Sequence, residues 1–361
     1  MSYNDKQFSV YNGNKLKIEI FGASHAPEIG VKVDGFEREK IDTVKLQAFL
    51  DRRRAVSTAY STKRFEPDLA ITESGVDGEY LTGEKFKAVI KNTAQRSSDY
   101  EKTVKVPRPS HADFVAWSKY GDGFDYRGGG KFSGRLTAPM CIAGGICKQL
   151  LEKKGIKISA YISSIGCVKG KSYRDADFEV SDLDGISGEF PLLDGDKKEQ
   201  MLDQVKKASS VGDSVGGVIE CVVTGVPVGT GEYMFDSLES VISHLVYAVP
   251  AVKGIEFGSG FSLSEMFGSS ANDAFYYDGD RVKTKTNHNG GINGGMANGM
   301  PITFRVAIKP TPSISKEQDS VDMTEKKDVK LSIKGRHDAC IVPRAVPVIE
   351  AVTAIAIYDN L

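Results

Sequence analysis

The sequence predicts a layered fold in which helices pack against antiparallel β-sheets. Helical and strand-like segments alternate along the whole chain, which is typical of layered α/β or α+β folds. The strand-like segments are short and their apolar residues alternate only moderately. Strands of a parallel sheet buried on both faces would instead be continuous apolar runs, so we favour antiparallel sheets. The chain has 361 residues, 40% of them hydrophobic, which is enough to bury a large core.

Apolar periodicity and glycine punctuation predict the individual elements. Helices are expected at about 42–53, 83–92, 137–154, 197–209, 234–248 and 344–359. Strands are expected at 15–21, 31–34, 69–73, 156–165, 218–223, 254–257 and 302–308. No clean linker divides the chain, so we treat 1–361 as a single domain. The stretch 312–334 is charged and poor in aromatic residues, and we expect it to be a surface loop.

Composition and charge exclude several classes of protein. The 47 Lys and Arg residues balance 48 Asp and Glu residues, which excludes a globally basic nucleic-acid coat and an acidic tail protein. The first residues have no cationic start followed by an apolar core, so we expect no signal peptide, and no apolar run approaches the ~20 residues of a membrane helix. The five cysteines are scattered and form no CxxC pair, which fits a reduced cytoplasm and small buried side chains.

A glycine-rich segment precedes the helix predicted near residue 136. Gly128, Gly129 and Gly130 are followed by Lys131 and Arg135. A glycine loop that leads into a helix N-terminus presents free N–H groups and the positive end of the dipole, which suits a phosphate. The segment is not a Walker A loop, because its lysine is followed by Phe rather than Ser or Thr. The alternative is a tight turn with solvated cations.

Three arginines, Arg52 to Arg54, end the first predicted helix. Taken alone, they are best interpreted as a cationic C-terminus that faces water and is favoured by the helix dipole. The same side chains could hold an anionic substrate.

Histidine is scarce, so the positions of the five histidines are informative. His25 and His111 lie in loops rich in small residues or proline, where an imidazole suits acid–base catalysis. Taken singly, each is better interpreted as a capping or turn residue, but two such histidines together with the arginine clusters favour catalysis. His244 lies within a predicted helix and is interpreted as packing, whereas His288 in an Asn/Gly loop is left open.

Gly335, Arg336, His337 and Asp338 precede the last predicted helix. Asp338 could cap that helix, or it could act as a base beside a phosphate-binding arginine. HExxH motifs and paired CxxC motifs are absent, so no metal site is predicted, and there is no GxSxG elbow. These residues together indicate a site for a phosphate-bearing small molecule and do not name a reaction.

Together these segments resemble the chorismate synthase family, in the family's order and over nearly the whole chain. The matching motifs are Gly22-Ala23-Ser24-His25-Ala26-Pro27, Asp51-Arg52-Arg53-Arg54, Glu66-Pro67-Asp68, Arg108-Pro109-Ser110-His111-Ala112-Asp113, Asp125-Tyr126-Arg127-Gly128-Gly129-Gly130, Gly290-Gly291-Ile292-Asn293-Gly294-Gly295, Lys309-Pro310-Thr311 and Arg336-His337-Asp338. The resemblance implies an antiparallel β-α-β sandwich with helices packed between sheets, assembled as a homotetramer.

The resemblance also implies a lyase of the shikimate pathway. The family converts 5-enolpyruvylshikimate-3-phosphate to chorismate and phosphate by 1,4-anti elimination, and it requires reduced FMN (FMNH2) although there is no net redox change. A chain of this compact type would depend on an external flavin reductase. A cytoplasmic location follows from the same likeness.

Residue roles are carried over only where the motifs match. The implied catalytic residues are His25 near the leaving phosphate, His111 near the flavin N1/C2 edge, and Asp338, which acts with flavin N5 on the C6 proton. The implied substrate ligands are Arg53, Arg135 and Arg336. The implied flavin ligands are Lys131, Phe132, Ser133, Ala251, Gly294, Lys309, Pro310, Thr311, Pro312, Ser313 and Arg336.

The chain departs from the family pattern beside this site. Alanine stands at 23, 26, 55 and 59, Val at 56, and Ser110 replaces the usual glycine before His111.

Two other functions stay open: an NAD(P)H-dependent flavin oxidoreductase, and a non-catalytic module that binds anions or RNA. The near-zero net charge and the lack of interleaved aromatic and basic residues disfavour nucleic-acid binding.

Overall fold

Helices and strands alternate through the part of the chain that the structure describes. The computed structural model describes residues 8–54, 66–93, 105–121, 125–186, 188–333 and 338–361. Its strands are β1 (Phe8–Asn12), β2 (Lys17–Gly22), β3 (Glu28–Asp34), β4 (Ile71–Ser74), β5 (Val76–Asp77), β6 (Tyr80–Leu81), β7 (Phe86–Lys91), β8 (Lys157–Ile165), β9 (Val168–Lys169), β10 (Gly217–Thr224), β11 (Val252–Phe257), β12 (Phe275–Asp278), β13 (Arg281–Thr284), β14 (Ile292–Asn293), β15 (Met296–Ala297), β16 (Ile302–Ile308), β17 (Gln318–Asp322) and β18 (Lys327–Leu331). Its α-helices are α1 (Thr43–Arg53), α2 (Asp113–Tyr120), α3 (Thr137–Glu152), α4 (Lys198–Ser210), α5 (Leu238–Tyr247), α6 (Gly268–Ala271) and α7 (Val342–Asp359). Short 3₁₀ segments lie at Arg127–Phe132, Gly134–Leu136, Val180–Gly185, Met234–Asp236 and Gly260–Glu265.

Two five-stranded antiparallel sheets form the outer layers. The first has the strand order β1-β2-β3-β7-β4 and the second has the order β11-β16-β10-β8-β9. Val31 pairs with Ala88 in the first sheet, and Cys221 pairs with Phe304 in the second. Because one face of each sheet is apolar, this register turns the alternate side chains of both sheets toward a shared interior.

Helices α1, α3, α5 and α7 fill the space between the sheets. Helix α3 contacts β2, β3 and β7 of the first sheet and β8 of the second, and α7 contacts β8 and β10. Every residue of α7 except Arg344 is buried. Helices α3 and α7 approach closely at Gly144, where a β-carbon would lie 2.3 Å from the carbonyl oxygen of Ala351. The arrangement confirms the expected antiparallel β-α-β sandwich.

A buried carboxylate in the middle of α7 binds the end of α1. Glu350 accepts hydrogen bonds from both terminal nitrogens of Arg52, at 2.9 and 2.7 Å, and from Lys148 Nζ at 2.6 Å. Burial alone would raise the pKa of Glu350, but Lys148 and Arg52 outweigh it and lower the pKa to about 2. Arg52 is therefore held in an internal ion pair, and the interpretation of Arg52 to Arg54 as a water-facing helix end is wrong for this residue.

The helix predicted at 83–92 is wrong. Residues Phe86–Lys91 form strand β7, which lies between β3 and β4. Its pairing with β3 and β4 shows the strand directly, and Val89 is buried together with Phe86, Ala88 and Ile90, as expected for a strand inside a sheet. The β-branched pair Val89-Ile90 further favours the strand.

The segment 312–334 differs from the expected surface loop. Strands β17 and β18 pair as an antiparallel hairpin, and Ser313 at the start of the segment is buried. Backbone hydrogen bonds stabilise such a hairpin, so its strands need not show the alternation of apolar residues by which strands are predicted from sequence.

The cysteines are buried as expected, except for Cys167, which is exposed. Within the described ranges, no helix has both the length and the apolar character required to cross a bilayer.

Candidate functional site

A cavity of about 660 Å³ lies where the N-termini of α3 and α7 meet the C-termini of α1 and α5. Helix N-termini carry partial positive charge and favour anions. The cavity is also lined by more cationic than acidic side chains. The cationic ones are Arg53, Arg54, Arg108, Lys131, Arg135, Lys253, Lys309 and Arg344, and the acidic ones are Glu66, Asp68 and Asp338. The site therefore suits a ligand with several negative charges.

The glycine-rich turn separates the two loop histidines. Gly128, Gly129 and Gly130 have φ values of +59°, +85° and +54°, which side-chain-bearing residues rarely adopt. A β-carbon at Gly128 would lie 2.5 Å from the His25 ring, and one at Gly129 would lie 3.3 Å from the His111 ring. The bare backbone of this turn is what allows both rings to pack so closely.

His25 lies behind the cavity wall. It follows β2 and is buried, while its neighbour Ser24 lines the cavity. The Ser24 N–H donates to Gly130 O at 3.2 Å, which ties this loop to the glycine turn. His25 is thus held beside the cavity through Gly128 and Ser24.

His111 forms part of a polar cluster on the cavity wall. Its Nδ1 lies 2.6 Å from Asp113 Oδ1, and Asp113 Oδ2 accepts from Arg108 Nε at 2.7 Å. Arg108 Nη1 donates to Ser313 Oγ at 3.1 Å, which connects the cluster to the segment after β16. Ser110, the residue before His111, has φ +59°, a conformation that favours glycine.

Two arginines share one buried carboxylate. Arg53 Nη1 donates to Asp68 Oδ2 at 2.7 Å, and Arg135 Nη1 binds Asp68 Oδ1. Arg53 Nε also donates to Thr137 Oγ1 at 2.8 Å, and Arg135 Nε donates to Asn92 Oδ1 at 2.9 Å. Arg53 is buried, so the water-facing interpretation is wrong for it as well.

Positive charge is concentrated around these arginines. Burial, opposed by Asp68 and assisted by the neighbouring Arg344 and Arg135, lowers the pKa of Arg53 to about 10. The pKa of Lys309 is lowered by burial and by Lys253. An anion bound here would relieve repulsion among these cations.

Asp338 faces the cavity beside α7. It pairs with Arg344 Nη1, and Arg344 Nε donates to the backbone oxygen of Arg53 at 3.1 Å. The N-cap of α7 is Ile341, with no side-chain cap, so the interpretation of Asp338 as a helix cap is wrong. Arg336 and His337 lie outside the described residues.

Most of the residues expected to bind a flavin line the same cavity. Lys131, Phe132, Ser133, Ala251, Lys309, Thr311, Pro312 and Ser313 do so. Two do not: Gly294 lies exposed in the turn between β14 and β15, and Pro310 packs against Gly216. Arg135 Nη2 and Thr311 Oγ1 are buried and have no hydrogen-bond partner among the described residues. A ligand with phosphate or carbonyl oxygens would supply those partners, so the residues present fit a phosphate-bearing cofactor.

Two more of the described histidines, His244 and His288, do not line the cavity. His244 contacts the Tyr11 ring edge-on at a centroid distance of 5.7 Å. His288 Nδ1 lies 2.8 Å from Ser259 Oγ, and its backbone N–H donates to Asp273.

Comparison with known proteins identifies the family of this chain. The family model described as chorismate synthase matches residues 16–361. The chain belongs to the chorismate synthase family. It is 42% identical over 350 residues to a chorismate synthase of Dehalococcoides mccartyi strain BAV1, covering 96% of this chain and 95% of that protein. It is 42% identical over 351 residues to one from Thermococcus kodakarensis, covering 97% of this chain and 96% of that protein.

The fold of the chorismate synthase family is also found in a solved structure. A crystal structure of chorismate synthase superposes with a TM-score of 0.75 at 25% identity, covering 97% of this chain and 92% of that one. The predictions that the chain resembles this family, has its fold and is an enzyme are therefore confirmed.

Sequence reasoning assigned no role to four residues of the site. Asp68 and Asp113 belong to motifs that resemble those of the chorismate synthase family, and this position in the sequence could have marked them as site residues. Arg108 opens one of those motifs and turns inward onto Asp113. Arg344 lies in α7, where no adjacent residue in the sequence marks it as functional. It reaches the cavity only because α7 packs against α1.

Proposed function

We propose that this chain converts 5-enolpyruvylshikimate-3-phosphate to chorismate and phosphate by 1,4-anti elimination, with reduced FMN and no net redox change. The observation that supports it most is the cationic cavity with His111 and Asp338 on its wall and His25 directly behind it. Its volume of about 660 Å³ lies within the range of small-molecule and cofactor sites.

The anionic ligands would be held by the arginines at the helix ends. Asp68 fixes Arg53 and Arg135, and Arg135 Nη2, which has no hydrogen-bond partner among the described residues, would be available to the ligand. The substrate carries two carboxylates and a phosphate, and FMN adds another phosphate. Arg336, which the family motif places beside Asp338, is proposed as a further ligand of both.

The cofactor is proposed to lie against the residues after β16 and the glycine turn. Lys309, Thr311 and Ser313 would bind its polar groups, and Lys131 with Phe132 would border it. Reduced FMN supplies electron density to the breaking C–O bond and helps to accept the hydrogen from the C–H bond. The chain's own residues supply position and protons.

Three side chains are proposed to handle the protons. His25 would donate to the leaving phosphate, from its place beside Ser24 and Gly128. Asp338 would act in removal of the C6 proton, with Arg344 holding its carboxylate. His111 would control the protonation of the cofactor edge next to it.

The proposed assembly is a homotetramer in the cytoplasm, supplied by an external flavin reductase. Large apolar side chains that are fully exposed in one chain support an assembly, because such surfaces usually become interfaces. Those that are at least two-thirds exposed are Val44, Val228, Tyr233, Met234, Phe235, Phe261, Phe267, Phe275 and Tyr277, and all but Val44 lie between residues 228 and 277.

An anaerobic assay tests the activity. Purified protein, 5-enolpyruvylshikimate-3-phosphate and photoreduced FMN are mixed, and chorismate absorbance and phosphate release are followed together. We expect both products in equal amounts; a folded protein that yields no chorismate would overturn the proposal. Aerobic turnover with NADPH and oxidised FMN would contradict the need for an external reductase.

Matched variants test the residue assignments. We expect His111→Ala and Asp338→Asn to lower kcat by roughly 10²-fold or more, since proton transfer by a positioned group contributes that much. Glu256→Gln, which removes a carboxylate from an ion pair with Arg174 and Arg305 outside the cavity, is the control and should stay near wild type. Wild-type rates in a site variant would remove its assigned role.

A further inference from the structure

Asp113 is a buried carboxylate with no role in the chemistry described so far. It is the first residue of α2, and its side chain is 5% exposed. Oδ1 lies 2.6 Å from His111 Nδ1 and accepts from Arg108 Nη2 at 2.8 Å. Oδ2 accepts from the backbone N–H of Arg108 at 3.1 Å and from its Nε at 2.7 Å. Four contacts therefore fix this carboxylate in one orientation.

The carboxylate remains ionised in this setting. Burial alone would raise the pKa of Asp113, but hydrogen bonds from Arg108 and His111 outweigh it and hold the pKa well below its usual range. An ionised carboxylate accepts hydrogen bonds and cannot donate them.

These contacts determine which ring nitrogen of His111 carries the proton. The short contact to Asp113 requires a hydrogen on Nδ1. Arg108 Nη2 carries two hydrogens and also lies 3.0 Å from Nδ1, but it could donate there only if Nδ1 were unprotonated. That arrangement would leave two acceptors, Nδ1 and the ionised Asp113 Oδ1, 2.6 Å apart, so Nη2 donates to Oδ1 and Nδ1 keeps its hydrogen. In the neutral ring, Nε2 is then the acceptor; it lies 3.3 Å from where a β-carbon on Gly129 would be, and His111 itself lines the cavity.

We infer that Asp113, itself fixed by Arg108, is a positioning residue that holds His111 in the Nδ1–H tautomer and presents Nε2 to the cavity. Only the expected effect on turnover rests on the proposed function. The tautomer is a property of the chain itself and can be measured without cofactor or substrate.

The first experiment is ¹⁵N NMR of the full chain labelled at histidine, recorded on neutral rings. With only five histidines, the His111 signals are assigned by their loss in His111→Gln. We expect wild type to show a protonated Nδ1 and an unprotonated Nε2. In Asp113→Asn the amide oxygen should take the Arg108 hydrogens and turn the NH2 group toward Nδ1, so that the proton moves to Nε2.

Two further variants separate positioning from general damage to the fold. Asp113→Glu keeps an ionised acceptor and should keep the Nδ1–H tautomer. Glu256→Gln removes a similar arginine-bound carboxylate away from the cavity and should leave the His111 signals unchanged. An Nε2–H tautomer in wild type, or an Nδ1–H tautomer that persists in folded Asp113→Asn, would overturn the inference.

The kinetic experiment follows chorismate formation with photoreduced FMN. We expect Asp113→Asn to lower kcat on the order of 100-fold, with KM for the substrate changed by less than about 3-fold, because the group that contacts the ligand remains and only its protonation changes. A reversed tautomer with unchanged kcat would refute the positioning role. If wild type forms no chorismate, the proposed function fails while the NMR result still decides the tautomer.

Discussion

Replacing Glu350 with glutamine removes the negative charge at the centre of α7. Glu350 is 3% exposed, and its partners Arg52 and Lys148 are 33% and 19% exposed. The folded state lowers the pKa of Glu350 from an ordinary 4.5 to about 2. At pH 7 this shift corresponds to about 3 kcal/mol of stability that the uncharged glutamine lacks.

The pH dependence of that difference has a defined sign. Because the folded pKa is depressed, the stabilisation is complete well above pH 4.5 and is lost as the pH falls toward 2. We expect Glu350→Gln to be less stable than wild type by about 3 kcal/mol at pH 7, by less at pH 4, and by only about 1 kcal/mol at pH 3.

Urea denaturation at these three pH values measures the difference directly. The control is Glu19→Gln, which removes a carboxylate from the pair with Lys32 on the outer face of the first sheet and should cost at most about 1 kcal/mol. A Glu350→Gln protein as stable as wild type at pH 7, or a difference that does not shrink in acid, would refute the reasoning.

Substitutions at two glycines and one serine give further predictions. Gly195→Ala is the control for all three, because a β-carbon at Gly195 meets no atom within 4 Å. Gly128→Ala should lower kcat in the anaerobic assay, because its β-carbon overlaps the His25 ring; wild-type kcat would contradict this packing. Gly144→Ala should lower the free energy of unfolding by about 2 kcal/mol, because the added methyl meets the backbone of α7; unchanged stability in urea would mean that the helices separate freely. Ser110→Gly should raise the free energy of unfolding by roughly 1 kcal/mol by relieving the positive φ, and a lower melting temperature would show that the serine side chain compensates.

The sandwich was predictable because its central elements carry strong periodic patterns. Helix α3 and strands β8, β10 and β16 lie within two residues of their expected bounds. Strand β7 was mistaken for a helix because six residues are too few to distinguish the two periods when Val89 adds a third consecutive apolar side chain. Hairpins such as β17–β18 depend on backbone pairing between polar residues, which leaves little trace in hydropathy.

The site was predictable in its residue types and much less in its contacts. Arginines at the end of α1 could face water or a ligand, and the outcome depends on Glu350, which is 298 residues from Arg52, and on Asp68, which is 15 residues from Arg53. The placement of Gly294 away from the cavity likewise depends on tertiary packing. Local sequence identifies which groups can react, whereas long-range packing determines which of them meet.

The position of α7 in the chain has a consequence for biosynthesis. Both five-stranded sheets are complete before residue 342 is translated, yet α7, which packs on α3 and on the second sheet, begins there. Until α7 has left the ribosome, the apolar side chains of α3, β8 and β10 that it covers lack this partner. Nascent chains of this protein should therefore depend on chaperones until synthesis has passed α7, and folding should complete in one late step rather than strand by strand.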